Sequence, residues 1–155
     1  MSIERVKAYF EQYGMEERVL EFEVSSATVE LAAKALHCEP QRIAKTLSFM
    51  ADGRSILIVT AGDAKIDNQK YKAFFGVKAK MLSLEEVETL IGHAVGGVCP
   101  FAVNEGVDIY LDVSLKRFDT VFPACGSSNS AIELTIPELE KYSRCTGWID
   151  VCKGY

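Results

Sequence analysis

A chain of 155 residues, 48% hydrophobic and 25% charged, can bury one compact core, and its formal net charge of −5 speaks against a broad basic coat for nucleic acid. The longest apolar runs, such as Ile56-Leu57-Ile58-Val59, fall far short of the roughly 20 residues that span a bilayer. The charged N-terminus carries no apolar signal core, so the expectation is a soluble, cytoplasmic protein with one domain over residues 1–155.

Ile3, Val6, Tyr9 and Phe10 lie at helical spacing over residues 2–13, and Gly14 stops that helix. Val19 to Val24 alternates as a short strand. Ser26 or Thr28 can cap a helix carrying Val29, Ala32, Ala33 and Leu36, ending near Cys38-Glu39-Pro40. Ile43 to Met50 and Ser55 to Thr60 then flank Ala51-Asp52-Gly53-Arg54, an Asp-Gly hairpin signal. Asp67 can cap a helix through Phe74-Phe75 that stops at Gly76, and Ala79 to Leu82 reads as a short strand. Ser83-Leu84-Glu85-Glu86 is a capping-box start for a helix reaching Ile91. Strands follow at Asp108–Asp112, Thr120–Pro123 and Ala131–Thr135, then a helix with Pro137 in its first turn and a closing strand at Trp148–Val151. Helices interrupting a hairpin-built sheet predict an α+β (mixed α/β) class rather than regular βαβ winding.

Five cysteines form no CxxC pair, and only His37 and His93 could join them, so neither a disulfide framework nor a metal site is expected. The charge is uneven. Lys65, Lys70, Lys72, Lys78 and Lys80 face Asp67 alone, a local balance of +4 that leaves −9 for the rest. Such a stretch is either a solvated face or a small phosphate-contacting patch.

Three places carry chemistry. Lys45 shares one face of a period-two strand with Leu47 and Phe49, which puts it either at a rim, snorkelling to water, or in a pocket as a cationic anchor. Gly92-His93-Ala94-Val95-Gly96-Gly97-Val98-Cys99-Pro100-Phe101 can present main-chain amides to a ligand, but it has neither GxGxxG spacing nor a P-loop ending. Cys99 within it is either a buried thiol or a nucleophile of a small ester or thioester hydrolase. Pro123-Ala124-Cys125-Gly126-Ser127-Ser128-Asn129-Ser130 places small polar side chains at a strand entrance, where they bind a polar ligand or form turn hydrogen bonds.

In their order, Ile43-Ala44-Lys45-Thr46-Leu47, Gly92-His93 to Pro100-Phe101, Asp112-Val113-Ser114-Leu115 to Phe118-Asp119, and Phe122-Pro123-Ala124-Cys125-Gly126-Ser127 leading to Ala131-Ile132-Glu133-Leu134 resemble the YbaK/prolyl-tRNA synthetase-associated editing domain family. The resemblance spans about Val24 to Tyr142. It implies a largely antiparallel sheet or partial barrel with surrounding helices, and a free-standing deacylase that hydrolyses the ester of mischarged tRNA. Its partners would be the acceptor end of aminoacyl-tRNA and an aminoacyl-tRNA synthetase, with no cofactor, metal or membrane.

The resemblance also implies roles. Lys45 matches the family's strand lysine, which holds the terminal adenosine and ester, so the pocket reading is favoured over the rim. Gly96 and Gly97, with Val98, Cys99 and Pro100, fit the loop whose amides face the scissile carbonyl. Thr46 and the Gly126-Ser127-Ser128 loop would line the aminoacyl pocket. A small group such as Cys, Ala, Ser or Thr on a proline-type tRNA is expected. Thr46, Ser127 and Cys99 depart from the residues of alanine- and cysteine-editing relatives, so the pattern does not choose among those four. A catalytically idle aminoacyl-tRNA or synthetase-binding module is the alternative reading.

Overall fold

The computed structural model describes residues 2–155. Its centre is a six-stranded sheet in the order β8-β6-β2-β3-β5-β9. Strands β2 (Ile43–Ala51) and β3 (Arg54–Ala61) form the hairpin, turning on Asp52 (φ 51°) and Gly53 (φ 80°), the positive-φ pair that a two-residue turn between right-twisted strands requires. Leu57, Ile58 and Val59 are all fully buried, because β3 is interior and covered on both faces, which accounts for its unbroken apolar run.

Parallel pairings then extend the sheet on one side through β5 (Asp108–Asp112) to β9 (Gly147–Ile149). On the other side β6 (Thr120–Pro123) runs parallel to the start of β2 and antiparallel to β8 (Leu134–Thr135). Two small antiparallel ladders complete the fold: β1 (Leu20–Glu21) with β7 (Ser130–Ala131), and β4 (Lys65–Ile66) with β10 (Cys152–Lys153). The class is mixed α+β, with a curled sheet and five helices around it.

Local chemistry starts and stops those helices. Helix α1 (Ser2–Glu11) buries Val6, Tyr9 and Phe10, and α2 (Val29–Leu36) is capped by Thr28 rather than Ser26, its side chain accepting from Leu31 N at 3.2 Å. Asp67 caps α3 (Asn68–Phe75), which ends at Gly76 with φ 76°. Ser83 and Glu86 form the expected capping box of α4 (Leu84–Glu86), but the chain then widens into a π turn over Val87–Ile91 instead of continuing as α-helix. A second capping box, Thr135 with Glu138, opens α5 (Ile136–Ser143). No helix of the described residues is long and apolar enough to cross a membrane.

Several strands are shorter than their apolar patterns. Val19–Val24 pairs only at Leu20–Glu21, and Ala79–Leu82 makes a single bridge between Met81 and Phe49. Ala131–Thr135 divides because Ala131 pairs with β1 while Leu134 and Thr135 pair with β6. The closing strand breaks where the buried Asp112 carboxylate accepts from Val151 N at 2.9 Å; its other oxygen accepts from Ser114 N at 2.9 Å. The Asp112 to Asp119 motif is therefore a fastening of sheet ends.

Candidate functional site

Strand β2 has an open edge. Its first residues, Ile43 and Ala44, pair with β6, and further along Ser48 O accepts from Leu82 N (3.2 Å) while Met50 N donates to Lys80 O (2.9 Å). Backbone groups alternate sides along a strand, so the N–H and C=O of Thr46 point into the gap between these two partners. The Thr46 side chain adds a buried Oγ1 without a hydrogen-bond partner. Over this gap lies a cleft of about 360 Å³, lined by β2 from Ile43 to Ser48, the start of α2, the segment around Met81 and Leu84, Val95, Gly96 and Val98, and the β7 end. Met81, Leu84 and Val95 are exposed by 57%, 69% and 52%, making an apolar mouth.

Lys45 lines this cleft as its single charged side chain. Its ammonium donates to Ala64 O at 2.5 Å and Gly62 O at 3.4 Å, which leaves one N–H of three. Burial holds its pKa below the ordinary lysine value, against the opposing charges of Asp63 and Glu30. The turn that supplies those carbonyls is fixed in its own right. A Cβ on Gly62 would stand 2.0 Å from Pro40 O, and Asp63 accepts from both Nη atoms of Arg117 at 2.5 and 3.0 Å.

The glycine segment is a loop pinched at its neck. Arg5 of α1 donates to Gly92 O at 3.0 Å and to Ala102 O at 2.6 Å, Asn104 N donates to Ile91 O at 2.9 Å, and His93 Nε2–H donates to Phe101 O at 2.7 Å. Nothing in the local sequence announces Arg5, which acts from 87 residues away. The loop tip delivers Gly96 (φ 91°) and Val98 to the cleft.

The expected amide of Gly97 needs correction. Its N–H donates to Ala94 O at 3.0 Å within the loop's own turn, and its Cα packs on Gly126 and Ser127, where a Cβ would meet backbone at 2.7 Å. Gly97 thus joins the two glycine loops rather than facing the cleft. Cys99 and Pro100 are likewise buried and line none of it. Burial pushes the Cys99 thiol up to about 12, with its Sγ 3.6 Å from His93 Nε2, so it is not a thiolate at neutral pH.

Gly126 and Ser127 open instead onto a second cavity of about 390 Å³ beside α1 and His93. Ser127 Oγ lies 2.7 Å from Ser130 Oγ and 3.0 Å from Asn129 Oδ1. The exposed Ser128 uses its carbonyl to accept from Ser26 N at 2.6 Å. The Ser127 bonds are turn bonds, the Ser128 bond ties the loop to the segment before α2, and the loop reaches the cleft through Ala124, Ser130 and Ala131, none of them an expected site residue. Among the described residues no carboxylate or imidazole lines the cleft, and no group of three potential metal ligands is assembled.

His93 is fully buried with Nδ1 unpartnered, and burial, aided by Arg5, lowers its pKa from 6.5 against the Phe101 carbonyl. The unfolded chain therefore takes up this proton first, and His93's contribution to stability, intact above pH ~6.5, is lost as pH falls. Stability against urea is expected to be lower at pH 5.5 than at pH 7.5 by an increment due to this group. A His93→Asn variant should lack that increment, whatever its absolute stability.

The family model that matches residues 23–142 is the aminoacyl-tRNA editing domain. The chain is 57% identical to the uncharacterized protein YwhH of Bacillus subtilis (strain 168), covering 100% of this chain and 99% of that one. It is 33% identical over 86 residues to a proline–tRNA ligase of Leuconostoc citreum (strain KM20), covering 55% of this chain but 15% of the ligase. Its structure superposes on that of a proposed trans-editing enzyme for prolyl tRNA synthetase with a TM-score of 0.88 at 29% identity, covering 99% of this chain and 98% of the other. With more than half its length inside the matched model, the chain belongs to the aminoacyl-tRNA editing domain family.

Proposed function

We propose that this chain, as one independent domain, acts in trans as an aminoacyl-tRNA deacylase, hydrolysing the ester of a proline-type tRNA mischarged with a small amino acid. The observation that supports the reading is the cleft itself, which Lys45, the free main-chain edge at Thr46, Gly96 and Val98 line together. An aminoacyl ester is already activated, so a site that positions water and meets the developing oxyanion with fixed donors needs no nucleophile of its own. Gly96 and Val98 offer main chain for that purpose, and Lys45 adds positive charge for the ester or the terminal phosphate. With no carboxylate or imidazole at hand, proton transfer falls to water and the neighbouring ribose hydroxyl. The apolar mouth of Met81, Leu84 and Val95 suits the terminal base, and the small space over Thr46 suits Cys, Ala, Ser or Thr.

A panel of mischarged tRNAs incubated with the wild type and Lys45→Ala tests this reading. Hydrolysis of at least one small aminoacyl-tRNA well above buffer, lost in the variant, is expected; no hydrolysis of any would sink it and leave a binding module. A Cys99-dependent hydrolase is a separate case. Cys99→Ser is expected to keep deacylation within about threefold of wild type, because a thiol at this depth is a packed, uncharged group. Treatment with a thiol-alkylating reagent should leave the rate unchanged.

A further inference from the structure

The protein is acidic overall, yet one face beside the cleft collects cations that form no ion pair. Lys72 of α3 and Lys78 line a shared concavity of about 410 Å³ with Asn68 and Gln69. Lys80 is exposed and immediately precedes Met81 at the cleft mouth. None of Lys72, Lys78 and Lys80 takes part in an ion pair among the described residues. Glu86, which accepts from Ser83 N at 2.9 Å, lies in the field of Lys80 and offsets part of its charge without forming an ion pair. Lys70 of the same stretch is different: it pairs with Asp150 at 3.1 Å and donates to Cys152 O at 2.9 Å. Of the five lysines in the +4 stretch, Lys70 is paired, Lys65 lies on β4 opposite Lys153, and Lys72, Lys78 and Lys80 form an unpaired set leading to the cleft.

We infer that Lys72, Lys78 and Lys80 form the docking surface for the ribose-phosphate backbone next to the terminal nucleotide. The inference rests on the deacylase reading for the occupant of the cleft. A chain of net charge −5 repels an approaching polyanion, so a track of unpaired lysines ending at the cleft sets the line of approach. A few phosphates touched by lysines make the contact weak and salt-steep rather than tight. Three such contacts give a slope of log K against log salt of roughly −2 to −3, or about 40-fold between 50 and 200 mM. The surface positions RNA without reading its sequence, so identity must come from elsewhere.

The test combines Lys72→Glu, Lys78→Glu and Lys80→Glu in one variant. Binding of an uncharged acceptor-stem hairpin ending in CCA is followed by fluorescence anisotropy across salt, and deacylation is compared on full-length aminoacyl-tRNA and on aminoacyl-adenosine. Affinity at 50 mM salt should fall at least tenfold and the slope flatten by two to three, on the counterion rule. Turnover of aminoacyl-adenosine should be unchanged. Reversal of Lys7, Lys116 and Lys141 should leave wild-type affinity and slope. Equal affinity and slope in wild type and variant, or equal loss in the control, overturns the inference. If no ester is hydrolysed but hairpin binding still depends on the three lysines, the surface stands and the deacylase reading fails.

Discussion

Gly97→Ala is expected to lower kcat/KM for aminoacyl-tRNA at least about 100-fold while leaving a folded protein, because it moves the loop proposed to face the ester. The added Cβ would stand 2.7 Å from Gly126 C and Ser127 N and 2.8 Å from Gly126 O. All three are backbone atoms, so no side-chain rotation relieves the overlap. Gly126 cannot retreat either, since its own Cβ position lies 2.8 Å from Ser2 O on α1, at a φ of 91° that disfavours any side chain. The loop must then shift by about half an ångström or more to restore an ordinary contact, at a cost of roughly 1–3 kcal/mol in overpacking. Such a shift displaces Gly96 and Val98, whose main chain would have to meet a developing charge within hydrogen-bonding distance.

The neighbouring glycines separate packing from strain. Gly96 shares the φ of 91°, but its Cβ would make ordinary contacts of 3.5 Å with Ser128 and 3.6 Å with Ala27. Gly96→Ala should therefore cost about 1–2 kcal/mol of conformational strain and act by intruding on the cleft. Gly106→Ala has the same kind of strain with nothing nearby, and should keep full activity. Single-turnover deacylation with melting curves for the three variants makes the comparison. A Gly97→Ala enzyme as fast as wild type would mean that the loop's placement is irrelevant to turnover.

The parts of this molecule legible in its sequence are those decided by neighbours in the chain. Asp52-Gly53 dictates its turn, and Asp67 and Ser83 cap their helices through atoms two and three residues away. What sequence cannot carry is pairing between distant segments. The parallel ladders of β3 with β5 and β5 with β9 depend on which buried strand lies beside which. The glycine loop shows the same limit. Its glycines announced close approach, but whether a ligand or another backbone approaches is a tertiary matter, and Gly97 turned out to meet Gly126 while Gly96 meets the cleft. Likewise Val98 and Cys99 are adjacent in the chain, and only the loop's seating on α1 decides that the valine faces the cleft and the thiol the core. The sequence leaves Lys45 between rim and pocket, and the carbonyls of Gly62 and Ala64 that hold its ammonium belong to a different turn.

Lys45→Met is expected to remove catalysis and yet preserve or raise the melting temperature. Burial lowers the Lys45 pKa, so the folded state holds that proton less tightly than the unfolded chain does. By linkage, keeping the lysine charged in the cleft opposes folding at neutral pH, and the opposition fades as pH rises through the folded pKa towards the ordinary 10.5. Methionine has similar length and fills the stem's space without a charge to desolvate. Its drawback is that Gly62 O and Ala64 O lose a donor, and because Lys45 is only half-buried, water can reach them. The advantage in melting temperature should therefore be small near pH 7 and vanish near pH 10. Loss of the cleft's one positive charge should meanwhile lower kcat/KM by about two to three orders of magnitude, the scale set by removing one electrostatic donor from an oxyanion site. Paired melting and deacylation measurements on the same preparation decide the matter. If Lys45→Met melts several degrees lower and its residual activity merely follows the folded fraction, the lysine is a fastening for the Gly62–Ala64 turn. If it melts at or above wild type and is inactive, the ammonium is held in a site that the fold would be more stable without, which is the expected position of a group retained for binding or catalysis.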